Sequence, residues 1–379
     1  MTVTRLSRLC AALLALVAVA GPAAAATIYS GDKIDGVPVI TQLDIGDLAP
    51  GKTHRLMFQS VERGSGLHWH VPIVVAKGAN PGKRVLFVAG VHGDELNPVR
   101  VVQTVLADLD PTRLSGSVLA IIGPSRPGIE HVTRMWPTSN LGLMQVNPNR
   151  TWLPPGPERE TGNTVDRHSW LIMNRVIKGN ADVGIDFHTG GTGIDFALFA
   201  FVNHKDAEAQ VIARIFPIDQ ILLEPGFDGT LEYALVRGGI PAITLELGGP
   251  RGFEPAMIEA GVTGARNMLV HYKMIDAPMG PTSADRALFV GNMLDDVFAR
   301  ASGFAEVLVK LNETVTKGQK IAVQRNDFGD IIAEYTAPST GRVAIIGTDA
   351  VREHGVDLVS ILTNSPRCAA AGCAYSADE

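Results

Sequence analysis

Three apolar, strand-length runs in this 379-residue chain each end on a histidine or a glutamate inside a glycine-rich turn, and this restricts the fold more than any other feature. RVLFVAG (84–90) leads into GVHGDELNP (90–98), which carries His92 and Glu95. DVGIDFHTG (182–190) ends on His188, and AITLELGG (242–249) ends on Glu246. Packing alone does not account for ionisable groups at three such places, because a buried carboxylate is costly unless it is paired or used. VPIVVAK (71–77) and SVLAIIG (117–123) are further apolar runs of strand length. Between the strands, PVRVVQTVLADL (98–109) has helical spacing with Pro98 in its first turn, and LEYALVRGG reads as a short helix stopped by Gly238 and Gly239. Strands alternating with helices predict an α/β fold whose mainly parallel sheet is covered on both faces.

The rhythm changes near residue 280. APMGPTSAD reads as a linker, and the short β segments beyond it predict a small C-terminal all-β module. The expected organisation is a leader over 1–25, a catalytic unit over 26–280, the β module over 281–366 and a tail over 367–379.

His92 and Glu95 lie three apart at a strand–helix junction, where Gly90 and Gly93 permit a tight turn that aims both side chains at one point. Imidazole nitrogen and carboxylate oxygen are both zinc ligands. His188 ends a neighbouring strand, and ligands converging from carboxyl ends of strands are how an open α/β sheet builds a site. His92, Glu95 and His188 therefore read as the ligands of one zinc ion per chain. Three protein ligands leave one position free, and Glu246 reads as the general base for amide hydrolysis by activated water. Asn149 and Arg150, in NPNR (147–150), read as binders of a substrate carboxylate, since a guanidinium matches that group as a fork.

GVHGDELNP, NPNR, DFHTG and TLELGG stand in the order seen in the succinylglutamate desuccinylase and aspartoacylase family, and the chain resembles that family over roughly residues 70–275. The resemblance implies a zinc carboxypeptidase-like fold, His92, Glu95 and His188 as zinc ligands, Glu246 as base, and Asn149 with Arg150 as carboxylate binders. KLNETVTKGQKIA, APSTGRVAIIG and VDLVSIL resemble a lipoyl-like barrel-sandwich module, here without a lysine at a typical lipoyl tip. Family members often carry an oxyanion-stabilising arginine eight residues before the carboxylate-binding one. Gly142 stands there in this chain, and Arg134 is the nearest earlier candidate. RTWLPPGPERETGNT is expected to wall the substrate pocket.

Other residues get plainer readings. His68 and His70 fit a solvated strand face better than a metal pair, and Asp94 fits a turn. Glu232 and Tyr233 fit ordinary helix packing. The glycines of 189–193 lack the spacing of a phosphate loop.

Arg5 and Arg8, the apolar run from Cys10 to Ala20 and the A-x-A at Ala23–Ala25 predict a cleaved secretory signal and a periplasmic or secreted protein. The run is too short for a comfortable membrane span, so no stable membrane insertion is expected after cleavage. Cleavage removes Arg5 and Arg8 and takes the net charge from -6 to -8. With that charge and no basic cluster, nucleic acid is not an expected partner. Cys368 and Cys373 then remain, enough for one small disulfide loop but not for a four-ligand zinc site. The expected partner is a small molecule bearing a carboxylate. Deacylation of an N-acyl amino acid or related small amide is the leading expectation. The alternatives are a periplasmic metallocarboxypeptidase acting on peptides and a non-catalytic solute-binding protein.

Overall fold

A strand that is apolar at successive positions must be covered from two sides, and this sequence meets that demand in its central strands. The computed structural model describes residues 26–140, 142–158, 162–366 and 368. The expected leader, its Cys10 and Cys373 lie outside them. Cys368 is disulfide-bonded.

The first strands are β1 (Ile28–Ile34), β2 (Val37–Gln42), β3 (Lys52–Glu62), β4 (His68–Lys77), β5 (Asn80–Ala89) and β6 (Ser115–Ile122), with α1 (Asn97–Asp108) joining the last two. Helix α2 (Arg126–His131) precedes a short hairpin of β7 (Trp136–Pro137) and β8 (Gln145–Val146). Helix α3 (Thr164–Ile172) then leads to β9 (Val183–His188), β10 (Ile194–Phe196) and β11 (Leu198–Asn203). They are followed by α4 (Ala207–Ile215), β12 (Gln220–Glu224), α5 (Leu231–Arg237), β13 (Ala242–Leu247) and α6 (Pro255–His271).

Eleven strands form one mixed sheet in the order β1-β2-β3-β4-β6-β5-β9-β13-β11-β12, with Phe289–Gly291 as its last strand, β14. Its centre is parallel: β6, β5, β9 and β13 run the same way. Val85, Phe87 and Ala89 of β5 face a core shared with Val101 and Val102 of α1, Ile212 of α4 and Met268 of α6. Leu86 and Val88 face the opposite core with Ile172, Leu231 and Leu235 of α3 and α5. Period-2 alternation in β5 thus places helices on both faces.

The remaining strands are β15 (Met293–Phe298), β16 (Gly303–Val307), β17 (Thr314–Val315), β18 (Lys320–Arg325), β19 (Ile331–Thr336), β20 (Gly341–Gly347), β21 (Val351–Arg352) and β22 (Asp357–Thr363). They enclose their own core around Val315, Ile321, Val343 and Ile361. Two strands cross between the layers. β10 leaves the large sheet and pairs antiparallel with β20, Ile194 opposite Gly347. β14, beyond the expected linker, returns to pair with β12. No helix among the described residues is long and apolar enough to cross a membrane.

Candidate functional site

Gly90 follows β5 with φ +79°, a backbone conformation that glycine adopts without strain. At Gly93 an added Cβ would lie 1.9 Å from the carbonyl carbon of Gly128, so the loop rests backbone to backbone on α2. The Gly93 N–H donates to Thr133 O at 3.1 Å. These contacts fix the stretch that carries His92 and Glu95 just ahead of α1.

β9 lies between β5 and β13, with Ala89 opposite Phe187 and His188 opposite Glu246. The carboxyl ends of the three strands therefore meet. Nδ1 of His92 is 2.7 Å from Glu95 Oε1, and Nδ1 of His188 is 2.7 Å from Glu95 Oε2. One ligand atom from each of the three lies within 4.8 Å of the others, and all three residues are buried. His92 Nδ1, despite that closeness, makes no aligned hydrogen bond. An orphaned ring nitrogen, a second imidazole and a carboxylate facing one point form a nitrogen–oxygen donor set suited to zinc, so the residues fit a metal ion.

Outer partners orient both rings. His92 Nε2 is 2.9 Å from Asn147 Oδ1. His188 Nε2 is 3.0 Å from Asp186 Oδ2 and 3.2 Å from Asn149 Nδ2. Sequence reasoning gave Asp186 and Asn147 no role. The signal was present for Asp186, since residues two apart on a strand share a face. Asp94 accepts from the Thr192 N–H and hydroxyl at 2.9 and 2.8 Å, which ties the first loop to the one after β9.

Burial disfavours a charge on Glu95, but His92 and His188 outweigh it and hold the carboxyl well below its usual range. Burial likewise opposes charge on His188, and Asp186 and Glu95 overcome it and raise that imidazole well above its usual value. Burial lowers His92. Glu246 has no comparable partner: burial pushes its carboxyl up to about 8, and its Oε2 makes no hydrogen bond.

A cavity of about 560 Å³ opens over this cluster and includes His92, His188 and Glu246 in its lining. Arg134 and Arg150 also line it. The Arg134 guanidinium contacts Glu95 Oε1, passing Gly191, where a Cβ would meet the arginine's Cδ at 2.9 Å. Arg150 donates to Asn149 O at 2.7 Å and lies over the Phe227 ring at 4.3 Å. The Asn149 amide is turned inward, its Oδ1 accepting from the Leu231 N–H at 2.9 Å.

Two expectations are corrected. Glu232 lines the cavity rather than serving only in helix packing, because α5 turns its first-turn side chain towards β12 and β9. The segment after Arg150 walls a different cavity, of about 480 Å³, with Arg150 shared between the two. Trp152 is buried against the core and its backbone N–H donates to Gly229 O at 2.9 Å. His68 and His70 belong to no metal-like cluster among the described residues.

A sequence profile of the succinylglutamate desuccinylase/aspartoacylase catalytic domain matches residues 81–272. The N-alpha-acetyl-L-2,4-diaminobutyric acid deacetylase of Halomonas elongata is 26% identical over 285 residues, 72% of this chain and 80% of that protein. Two solved structures share the fold. The product-bound ectoine utilization protein EutE (DoeB) of Ruegeria pomeroyi superposes with a TM-score of 0.72 at 22% identity, covering 84% of this chain and 96% of that one. The succinylglutamatedesuccinylase/aspartoacylase of Rhodobacter sphaeroides gives 0.72 at 22% identity, covering 85% and 98%.

Proposed function

The chain belongs to the succinylglutamate desuccinylase/aspartoacylase family, and on that premise we propose that it is a zinc-dependent hydrolase of the amide bond in an N-acyl amino acid or related small amide. The observation that carries this reading is the buried, unpartnered Glu246 Oε2 in the same cavity as the His92–Glu95–His188 cluster. The Halomonas relative's activity on an acetylated amino acid supports the substrate class.

His92, Glu95 and His188 would hold the metal, which when bound supplies Lewis acidity to the scissile carbonyl and to water. Glu246 takes a proton from the attacking water and returns it to the departing amine, so no covalent acyl-enzyme is needed. Asp186 and Asn147 keep the two imidazoles turned with Nδ1 inward. Arg150 binds the substrate carboxylate from the cavity wall, with Phe227 fixing the plane of its guanidinium. Asn149 supports Arg150 through its backbone carbonyl, and its Nδ2, 3.2 Å from His188 Nε2, is the donor that a substrate carboxylate would meet. Arg134 is the guanidinium nearest the cluster and stabilises charge developing on the carbonyl oxygen. The amino-terminal sequence supports extending the proposal to a periplasmic or secreted location.

The test is metal content together with hydrolysis of a panel of acyl-amino acids and short peptides, for the wild type and Glu246→Ala. We expect about one zinc per chain in both proteins and roughly a 10²–10⁴-fold slower variant. Preference for peptides over small amides would move the assignment to a carboxypeptidase. A folded wild type with neither metal nor turnover would support a binding protein instead.

A further inference from the structure

Among the described residues, five that are not glycine hold a left-handed backbone, and two of them are joined to each other. Val132, at φ +51°, caps the end of α2. Arg251, at φ +67°, lies in the loop that follows Glu246 and β13. Its Nη1 donates to Val132 O at 3.1 Å. A β-branched residue at positive φ is rare and costly, and such strain persists only where the surroundings hold it. Glycine takes this conformation without strain. Gly252 follows directly, yet the left-handed position falls on the arginine.

The pair stands where three parts of the site meet. The Arg251 N–H donates to Asp94 O at 2.7 Å, and Asp94 lies between His92 and Glu95 in the chain. The loop after Glu246 has further ties to the start of α1. Asn97 Nδ2 donates to Leu247 O at 2.8 Å, and the Glu254 N–H donates to Asn97 Oδ1 at 2.8 Å. Backbone and Asn97 thus fasten that loop without the Arg251 guanidinium, whose bond goes to Val132 instead. Thr133 comes next, its N–H donating to Gly128 O at 2.9 Å and its carbonyl accepting from the Gly93 N–H at 3.1 Å. Arg134 then leaves the same turn and reaches Glu95 Oε1.

We infer that Arg251 is a positioning residue for Arg134: it grips the carbonyl of the left-handed Val132 and fixes the turn from which the Arg134 guanidinium reaches Glu95. Arg251 is itself exposed and does not line the cavity, so it acts on the reaction through Arg134. The catalytic consequence rests on the amidohydrolase reading above; the placement of Arg134 does not.

The experiment uses Arg251→Gly, which removes the guanidinium and sits at φ +67° without strain, and Arg251→Lys, which keeps a donor. On the metal-free, full-length proteins, the rate at which phenylglyoxal labels Arg134 is followed by peptide mass mapping. It is expected to rise threefold or more in Arg251→Gly and less in Arg251→Lys. On the zinc-loaded proteins, Arg251→Gly should lower kcat for an acyl-amino acid about tenfold, part of what loss of a whole oxyanion donor costs, with KM, zinc content and melting temperature as in the wild type. Arg251→Lys should recover part of that loss. The double variant with Arg134→Ala should be no slower than Arg134→Ala alone, since the two residues act as one unit. Unchanged labelling of Arg134 in Arg251→Gly overturns the inference, and so does a loss of kcat that adds to that of Arg134→Ala. Faster labelling with no hydrolysis by the zinc-loaded wild type overturns the amidohydrolase reading and leaves the placement of Arg134 standing.

Discussion

The site is built from residues whose neighbours fix their orientation, and His188 with Asp186 behind it is the clearest example. The Asp186 carboxylate is fully buried and 3.0 Å from His188 Nε2, so it holds the ring with Nδ1 towards Glu95. Asp186→Asn keeps the shape and removes the charge. Loss of such an outer partner is expected to weaken metal binding by roughly 10–100-fold, measured by competition with a chelator at fixed pH. An unchanged affinity would mean that Asn149, 3.2 Å from the same nitrogen, is enough to orient the ring. The three ligand residues were legible in the sequence because each ends an apolar run in a glycine-rich turn. The place of Glu232 in the cavity wall was not, because nothing in LEYALVR says which face of a short helix meets a cavity. That is settled by where α5 lies beside β9 and β13.

Single elements carry constraints that no side chain in the cavity reveals. His168 of α3 is buried between Ser60 Oγ, 2.7 Å from Nδ1, and Pro124 O, 3.0 Å from Nε2, and so joins α3 to β3 and to the end of β6. Burial lowers its pKa to about 4. The folded state therefore resists a proton that the unfolded chain accepts below about 6.5. Stability from this group is intact above that value and is lost as pH falls from about 6.5 to 4, at up to about 1.4 kcal/mol per pH unit. His168→Gln, which cannot protonate, should show a shallower decline of melting temperature over that window. An equal slope would assign the acid sensitivity elsewhere. Gly93→Ala forces a Cβ onto the Gly128 backbone. We expect a loss of about 1–3 kcal/mol in stability, together with reduced metal content, because His92 is its neighbour in the chain. Retained metal at wild-type stability would show that α2 yields. The central strands were readable from composition alone, since strands covered on both faces are apolar throughout. β10 was not. IDF is too short and too polar to signal a strand, and its partner Gly341–Gly347 lies far along the chain.

For the whole molecule, the loop after β9 is held from two directions. Asp94 grips Thr192 from the side of the large sheet. From the other side, the Thr348 N–H donates to Gly193 O at 2.9 Å, and Arg352 donates to the same carbonyl. Arg352 is 5% exposed and also donates to Asp349 O at 3.0 Å. Arg352→Ala should cost about 2 kcal/mol of stability and lower kcat/KM without lowering zinc content, since no ligand changes. Calorimetry, turnover and metal analysis on one preparation separate those outcomes; wild-type turnover would show that Gly193 needs no support from β21. The two layers were visible in the sequence as a change of rhythm near residue 280, whereas the exchange of β10 and β14 between them was not. Hydrophobic patterning specifies which face a strand buries, not which sheet it joins.

That exchange sets an order of events during synthesis. His188 and Glu246 leave the ribosome well before Gly341–Gly347, the partner of β10. Until those late residues emerge, the strand that anchors the loop beyond His188 has nothing to pair with, and pairing over so long a separation is slow. A nascent chain can therefore hold every proposed metal ligand and still lack a finished pocket, so hydrolysis waits for the end of translation.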